Sequence, residues 1–278
     1  MTTILDTGPI FIKLGGSLIT DKTRPETARP DVIARLAGEV RQVLDARPDL
    51  PLLLGHGSGS FGHWLGLRYG TRDGVRGREA WVGYAQVAAT AARLNRIVTD
   101  AFLDAGVPVL AVPPATSARC HDGRLVALDT LPIRRALEER LVPLVNGDVA
   151  LDEVRGGTIV STEQVMGYLA DELHPARILL LGQTTGVYTI PEGGGRGGKI
   201  VPRITPQDVE TIIGSLGGSR GMDVTGGMLG KVREMLDLVQ RKPGLVVHIL
   251  TGLEPGLLTK ALLDPNLPVG TRITAPNL

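Results

Sequence analysis

Cysteine, aromatic side chains and an excess of either charge are all scarce in this sequence of 278 residues. Cys120 is the single cysteine, so an intrachain disulfide and a CxxC metal site are excluded. Aromatic residues make up only 3% of the chain against 42% hydrophobic residues, so any core must be largely aliphatic. The 30 basic and 29 acidic residues nearly cancel. The chain therefore has no overall field that would hold nucleic acid or an anionic membrane.

Long apolar runs and targeting segments are also missing. No segment approaches the roughly 20 apolar residues that a bilayer crossing requires. The N-terminal residues include Asp6 and lack a basic region followed by a long apolar run, so they do not resemble a signal peptide. We expect a cytoplasmic protein in a reducing compartment, with a small-molecule substrate and neither nucleic acid nor membrane as a partner.

The sequence does contain short apolar runs that alternate with stretches of helical period. The runs predict strands at residues 10–14, 51–54, 107–112, 143–145, 177–181 and 245–250. Helices are predicted from Asp31 as N-cap, at 79–104, at 132–141, from a Ser161 capping box to about 173, and from near Gly226. This alternation predicts an α/β fold with a mainly parallel sheet covered by helices on both faces. No linker divides the chain, and the glycine-rich stretch 193–198 is predicted to be a surface loop.

Three glycine-rich turns each follow a predicted strand or open a predicted helix: Lys13–Ser17, Gly55–His63 and Thr225–Lys231. Glycine lets backbone N–H groups approach an anion, and a helix N-terminus adds positive dipole character. For any single turn, a tight connection between strand and helix is the simpler explanation. Three such turns, with lysines in two and histidines in the third, favour phosphate binding.

Two other phosphate-binding motifs fit these turns less well. Gly57, Gly59 and Gly62 match the dinucleotide fingerprint, but they follow the second strand, and no strand-end acidic residue lies about 20 positions on. A Rossmann oxidoreductase therefore remains a minority interpretation. The third turn is not a Walker A loop, because Thr225 and Val232 stand where that motif needs Gly and Ser or Thr.

Taken together, the motifs resemble the amino acid kinase superfamily across nearly the whole chain. Lys13–Ser17 is similar to its first-strand motif, and Asn146–Asp148 is similar to its Gly-Asp pair. Asp223–Lys231 is similar to its nucleotide-lobe motif, and Gly270–Ile273 to its closing strand. Within the superfamily, Ile19–Lys22 and Ser60–His63 resemble both the isopentenyl phosphate kinases and the fosfomycin kinases. The Thr-Gly-Gly-Met form at Thr225 and the segment Thr251–Pro255 are more similar to the isopentenyl phosphate kinases.

This resemblance implies transfer of the γ-phosphoryl group of ATP, with Mg²⁺, to isopentenyl phosphate, giving isopentenyl diphosphate. It implies a single three-layer α/β/α sandwich over residues 1–278, with an acceptor lobe at about 1–175 and a nucleotide lobe at about 176–278, usually as a homodimer. The chain departs from the superfamily pattern at Ser58, at Thr162–Gln164 and at Gly182–Gly186. The last departure removes two carboxylates near the expected nucleotide site.

The resemblance also carries a set of expected site residues. The catalytic residues would be Lys13, Lys22, His63 and Asp148. The nucleotide would contact Lys13, Gly15, Gly16, Ser17, Ser58, Gly62, Tyr188, Gly226, Gly227 and Lys231. The acceptor would contact Gly57, Gly59, His63, Ser161 and Thr162, and no metal ligand is expected from the protein.

Elementary chemistry supports cations and donors in these roles. The acceptor oxygen of a phosphate monoester is already anionic at neutral pH, so no general base is needed, and two anions must be brought together. Lys13 ends a buried strand, where an unpaired charge is costly, so a phosphate partner is expected. Lys22 is either a solvated loop residue or a transition-state stabiliser, and Lys231 opposes the dipole of its helix unless phosphate is bound.

The remaining roles have alternatives of their own. His63, at the end of the second glycine turn, either donates to the acceptor phosphate or packs in the core. Asp148 either orients Lys13 or Lys22 by ion pairing or is a simple turn residue. Ser161 is expected to be a helix cap first and a ligand donor second. An apolar slot for an isopentenyl tail is expected beside Trp81, Val82 and Ala85, with Val145 below.

Three other functions remain open at this point. A phosphonate kinase of the fosfomycin type shares the His63 role but needs no long apolar slot. A glutamate or carbamate kinase leaves His63 without a role. The departures at Gln183 and Thr185 also allow a non-catalytic nucleotide sensor, although retention of all three lysines opposes it.

Overall fold

The computed structural model describes residues 8–189, 198–208 and 228–276. Its main feature is a sheet of eight strands. In spatial order these are β10 (Arg203–Ile204), β12 (Thr271–Ile273), β11 (Val246–Thr251), β9 (Arg177–Gly182), β1 (Ile10–Leu14), β2 (Leu52–His56), β6 (Val142–Asn146) and β3 (Val109–Ala111). Neighbouring strands run parallel except β11 and β12.

Helices pack on both faces of this sheet. Their bounds are α1 (Gly16–Ile19), α2 (Pro30–Ala46), α3 (Gly59–Tyr69), α4 (Gly77–Asp104), α5 (Leu131–Glu138), α6 (Thr162–Leu173), α7 (Met228–Arg241) and α8 (Leu257–Leu263). A smaller sheet lies beside the main one. Its spatial order is β5 (Arg124–Ala127), β4 (Arg119–His121), β7 (Asp148–Asp152) and β8 (Gly156–Val160).

The alternation of side chains along β1 divides the core into two layers. Ile10, Ile12 and Leu14 are buried against apolar residues of α2, α4 and α8. Phe11 points to the other face, where it joins buried residues of α5, α6 and α7. The predicted three-layer α/β/α sandwich is therefore confirmed. Lys13 lies two residues after Phe11 in β1, so its side chain is on the same face of the sheet, which α6 covers.

The predicted strands and helices are confirmed with shifts at their ends. Asp31 is not the N-cap of α2, because the helix begins at Pro30, whose fixed φ suits the first helical turn. The closing strand is β12. The predicted helix start near Gly226 and residues 193–197 of the predicted loop lie outside the described residues. In the part of the chain that the structure describes, no helix combines the length and the hydropathy that a membrane span requires.

Candidate active site

The candidate site lies at the carboxyl edge of the main sheet. Strands β1, β2, β6 and β9 are parallel neighbours, so the residues that follow them meet at one edge. Lys13 is paired with Gly55 and with Leu180 in this register, and His56 is paired with Asn146. Two of the predicted glycine turns therefore begin side by side.

Those two turns contact each other through their backbones. A Cβ added at Gly16 would lie 2.5 Å from the Gly59 nitrogen, and one at Gly57 would lie 2.9 Å from the Gly16 nitrogen. Gly59 has φ +50°, and a Cβ there would lie 2.1 Å from the Thr20 Oγ1. That hydroxyl accepts from the Ser60 N–H at 3.0 Å and donates to the Gly16 carbonyl at 2.7 Å. We call Gly15, Gly16 and Gly57–Gly59 the glycine junction; no side chain fits between its two turns.

Two lysines share one carboxylate close to this junction. Lys13 is buried and forms an ion pair with Glu163, which lies in the first turn of α6 and is also buried. The Lys231 Nζ, in the first turn of α7, lies 4.0 Å from the same Glu163 Oε1. Lys22 is exposed, but its charge is close enough to act on Lys231. Lys13 and Lys231 thus share a single negative charge, and Lys22 lies within electrostatic range of Lys231.

The pKa values of this cluster reflect that excess of positive charge. Burial alone would raise the pKa of Glu163, but the charges of Lys13 and Lys231 hold it below its usual range. Burial lowers the pKa of Lys231, and the charge of Lys13 lowers it further against the attraction of Glu163. Negatively charged phosphate oxygens would relieve this repulsion between lysines.

The start of α6 is held by hydroxyl groups. Ser161 caps the helix, because the Gln164 N–H donates to its Oγ at 3.0 Å; the predicted cap is confirmed. Thr162 is buried, and its hydroxyl donates to the His56 carbonyl at 2.7 Å. Both predicted acceptor-binding hydroxyls therefore make structural bonds within the protein.

Asp148 lies at the start of β7 and is buried. Burial raises the pKa of Asp148 to about 6, against the hydrogen bonds donated by the Val149 N–H at 2.8 Å and by the Asn146 amide at 3.3 Å. The expected ion pair between Asp148 and Lys13 is wrong, since Lys13 pairs with Glu163. None of the ion pairs found among residues 8–189, 198–208 and 228–276 involves Asp148.

His63 lies in a helix rather than at the end of a turn. Helix α3 begins at Gly59, and His63 is exposed in its second turn. Gly62 packs against its own N-cap residue, since a Cβ there would lie 2.6 Å from the Ser58 Oγ. The second glycine turn is therefore shorter than expected, and His63 projects from a rigid element one turn beyond the glycine junction.

On the predicted nucleotide side, the residues that replace the missing carboxylates make bonds of their own. The Gln183 amide donates to the Ser17 carbonyl at 2.9 Å, and the Thr185 and Tyr188 hydroxyls are hydrogen-bonded to each other. An open groove of about 430 Å³ adjoins them. It is lined by Thr185, Ile200, Pro202, Leu250, Thr251, Glu254, Leu257, Pro268, Val269 and Gly270. Gly226 and Gly227 lie outside the described residues.

The opposite side of the site is aromatic. Trp81 and Tyr84 of α4 pack edge to face with ring centroids 5.1 Å apart. Burial raises the pKa of Tyr84 to about 12, and the charge of Asp148 contributes in the same direction, which places this ring near Asp148. Val145 is fully buried in the core, so the predicted slot lining is wrong at Val145, whereas the half-buried Tyr84 lies near Asp148.

Metal ions in proteins are commonly held by clusters of His, Cys, Asp and Glu side chains. No group of three or more His, Cys, Asp or Glu side chains among the described residues is arranged to hold a metal ion. Glu163, the carboxylate nearest the lysines, is already paired.

Comparison with known proteins agrees with this geometry. The model of the amino acid kinase family matches residues 8–250. The chain belongs to the amino acid kinase family. This kinase is similar to the isopentenyl phosphate kinase of Methanothermobacter thermautotrophicus, with 35% identity over 95% of this chain and 98% of that protein. It is also similar to the isopentenyl phosphate kinase of Methanocaldococcus jannaschii, with 30% identity over 91% of this chain and 94% of that one. A crystal structure of an isopentenyl phosphate kinase aligns with TM-score 0.80 and 32% identity, covering 95% of this chain and 99% of that one.

Sequence reasoning missed two residues of the site. Glu163 was visible only as an acidic residue inside the capping box that Ser161 begins, and its partners are distant in the chain. Tyr84 lies one helical turn from Trp81 and packs against it, so it shares the face of α4 that carries Trp81, but the prediction named Val82 and Ala85 instead. No local motif indicates that Tyr84 lies partly buried beside Asp148.

Proposed function

We propose that this kinase transfers the γ-phosphoryl group of ATP to isopentenyl phosphate, giving isopentenyl diphosphate and ADP. The observation that carries the proposal is the convergence of Lys13 and Lys231 on Glu163, with the charge of Lys22 close enough to act on Lys231. A reaction between two phosphate anions needs this arrangement, since repulsion is its main barrier. The isopentenyl phosphate kinases that match nearly the whole chain support the choice of acceptor.

The nucleotide would lie over the carboxyl ends of β1, β9 and β11. Backbone N–H groups of Gly16 and Ser17, together with the N-terminal end of α3 at Ser58, can donate to the triphosphate, whereas the Gly15 N–H already donates to the Leu181 carbonyl at 2.8 Å. The groove beside Tyr188 is suited in size and apolar character to the base and ribose. Magnesium would arrive as MgATP and be held mainly by phosphate oxygens, as this ion commonly is.

The acceptor phosphate would lie against Gly57 and Gly59, where the N-terminal end of α3 favours an anion, with His63 donating to it. Its oxygen attacks the γ-phosphorus in line, one P–O bond forms, and the bond to the β-phosphate oxygen breaks as ADP leaves. Lys13 and Lys231 stabilise charge on the transferring group. Asp148 is proposed to orient the acceptor side of the site, since its bonds run to Asn146 and Val149.

The isopentenyl tail would extend beside Tyr84 and Trp81. The β7–β8 hairpin closes this side tightly, since a Cβ at Gly157 would lie 3.0 Å from the Tyr84 ring. An apolar chain placed there is removed from water, and this burial favours binding by about 0.8 kcal/mol for each buried methylene.

The finer organisation is proposed on the family resemblance. The acceptor would bind to residues of about 1–175 and the nucleotide to residues of about 176–278, within a cytoplasmic homodimer. Light scattering of the purified protein tests the dimer directly, and a monomer mass would contradict it.

The test of function is ADP release with MgATP and a panel of acceptors: isopentenyl phosphate, dimethylallyl phosphate, fosfomycin, glutamate and carbamate. We expect turnover on the isoprenoid phosphates alone. The Lys13→Met variant, which lacks the central cation, controls for contaminating kinases. Turnover on fosfomycin alone would overturn the acceptor but keep the phosphoryl-transfer chemistry, and ATP binding without turnover on any acceptor would favour the sensor.

A further inference from the structure

A chain of buried polar side chains connects the middle of α4 to Asp148. The Asn95 amide nitrogen donates to the His56 Nε2 at 3.1 Å and to the Asn146 Oδ1 at 3.4 Å. The Asn146 amide nitrogen donates in turn to the Asp148 Oδ2 at 3.3 Å. His56, Asn95, Asn146 and Asp148 are all buried, so these bonds are shielded from water.

The chemistry of these groups fixes the direction of each bond. An amide nitrogen can only donate, so the His56 Nε2 must be an acceptor without a proton. The proton then lies on Nδ1, which faces the Gly57 carbonyl at 3.2 Å. Burial, together with the nearby charge of Lys13, lowers the pKa of His56 to about 4, so the ring is neutral at physiological pH. The side chain of Asn95 thus selects one tautomer of His56.

The backbone of His56 joins the other parts of the site. Its carbonyl accepts from the Thr162 hydroxyl at 2.7 Å and from the Gly147 N–H at 3.1 Å. Thr162 precedes Glu163, the partner of Lys13. His56 also precedes the Gly57–Gly59 turn. One residue of α4 is therefore connected through His56 to the glycine junction, to the start of α6 and to the Asn146–Asp148 turn.

We propose that Asn95 is a positioning residue for phosphoryl transfer, which holds His56 and Asn146 so that Asp148 and the Gly57–Gly59 turn keep their reactive arrangement. This role rests on the proposed function. Asn95 lies behind His56 and would touch neither substrate. Its effect is therefore on the rate of the chemical step rather than on nucleotide affinity.

The first test compares two substitutions of Asn95 with a control in the same helix. Asn95→Leu removes the donor, and Asn95→Asp keeps the shape but replaces the donor with an acceptor. Both should lower kcat at least tenfold, while the KM for ATP stays within about twofold. Thr90→Val is the control, because Thr90 is equally buried in α4 but its hydroxyl donates only to the Val87 carbonyl at 2.8 Å. It should leave kcat unchanged, and thermal melting establishes that each variant is folded.

A double-mutant cycle then separates positioning from a general packing effect. If Asn95 acts through Asp148, the Asn95→Leu change should cost no more than about twofold in an Asp148→Asn background. Full and independent losses in the double variant would overturn the inference, as would a normal kcat in Asn95→Asp. Wild-type protein that phosphorylates a different acceptor would refute the proposed substrate only, and the same cycle run with that acceptor would still test Asn95.

Discussion

Replacing Glu163 with glutamine should destabilise the protein in the absence of any substrate. Glu163 is the carboxylate between Lys13 and Lys231, and both members of the Lys13 pair are buried. The Glu163→Gln variant keeps the shape of the side chain but removes its charge. The buried ammonium of Lys13 then loses its partner, while Lys231 is partly exposed and can move toward water. Lys13 therefore determines the size of the effect.

The magnitude follows from the burial of the pair. Removing one partner of a buried ion pair typically costs about 3–5 kcal/mol, because the remaining charge stays in a medium of low dielectric. For a chain of this length, such a loss lowers Tm by on the order of 10 °C. Replacing both partners with apolar residues avoids the unpaired charge and is often neutral. The Lys13→Met/Glu163→Leu double variant should therefore melt well above either single variant, although it should have no kinase activity.

Thermal melting and urea denaturation of wild type, Glu163→Gln, Lys13→Met, Glu163→Leu and the double variant, without nucleotide, measure these differences. Arg241→Gln is the matched control, since it breaks an exposed pair with Asp171, which lies in α6, the helix that also carries Glu163. An exposed pair contributes at most about 1 kcal/mol. A Tm for Glu163→Gln close to that of Arg241→Gln would refute the reasoning, and so would a double variant that loses the sum of the two single losses.

Four further predictions concern individual residues. His63→Ala should raise the KM for the acceptor far more than the KM for ATP in steady-state kinetics; equal losses would contradict contact with the acceptor phosphate. Lys22→Ala should lower kcat at least tenfold with ATP affinity nearly kept, and an unchanged kcat would remove Lys22 from the site. Gly59→Ala should lose folding or activity, because its Cβ would meet the Thr20 hydroxyl at 2.1 Å. Gly70→Ala, at φ +58° with open space around it, should cost only about 1–2 kcal/mol of stability in urea denaturation. Similar losses of stability in the two variants would contradict the close approach at Gly59. Burial raises the pKa of Asp148 from 3.8 to about 6, so the folded protein retains a proton that the unfolded chain loses within that window. Wild-type stability should therefore fall relative to Asp148→Asn as pH rises from about 4 to about 6, and parallel stability curves would contradict the raised pKa.

The sequence predicted the sandwich because its main strands are apolar runs with turn residues at both ends. Residues 10–14 and 177–181 are buried on both faces of a parallel sheet, and such strands need no alternation to be recognised. Local pattern failed at α3, whose Gly59, Gly62 and Gly66 are typical of a loop. The helix forms there because small residues permit close packing; a Cβ at Gly66 would lie 3.0 Å from Ile159 of β8.

The site residues that stand in recognisable motifs were predicted, whereas contacts between residues far apart in the sequence were missed. Lys13 and Lys231 stand in recognisable glycine turns, and the structure brings both to Glu163. The pairing of Lys13 with Glu163 joins residues 150 positions apart, and nothing near either residue indicates it. Asp148 was expected to pair with Lys13 or Lys22, and its burial among amide donors could be seen only in three dimensions.

The backbone contact between the two turns of the glycine junction limits how this kinase can evolve. Neither turn can gain a side chain unless the other withdraws, so a single substitution cannot widen the space between them. Under the proposed function, the distance between donor and acceptor phosphates is thus built into the main chain and is inherited almost unchanged. New acceptors would then be gained through the opposite wall of the site, at Tyr84 and the β7–β8 hairpin, where side chains can be exchanged one at a time.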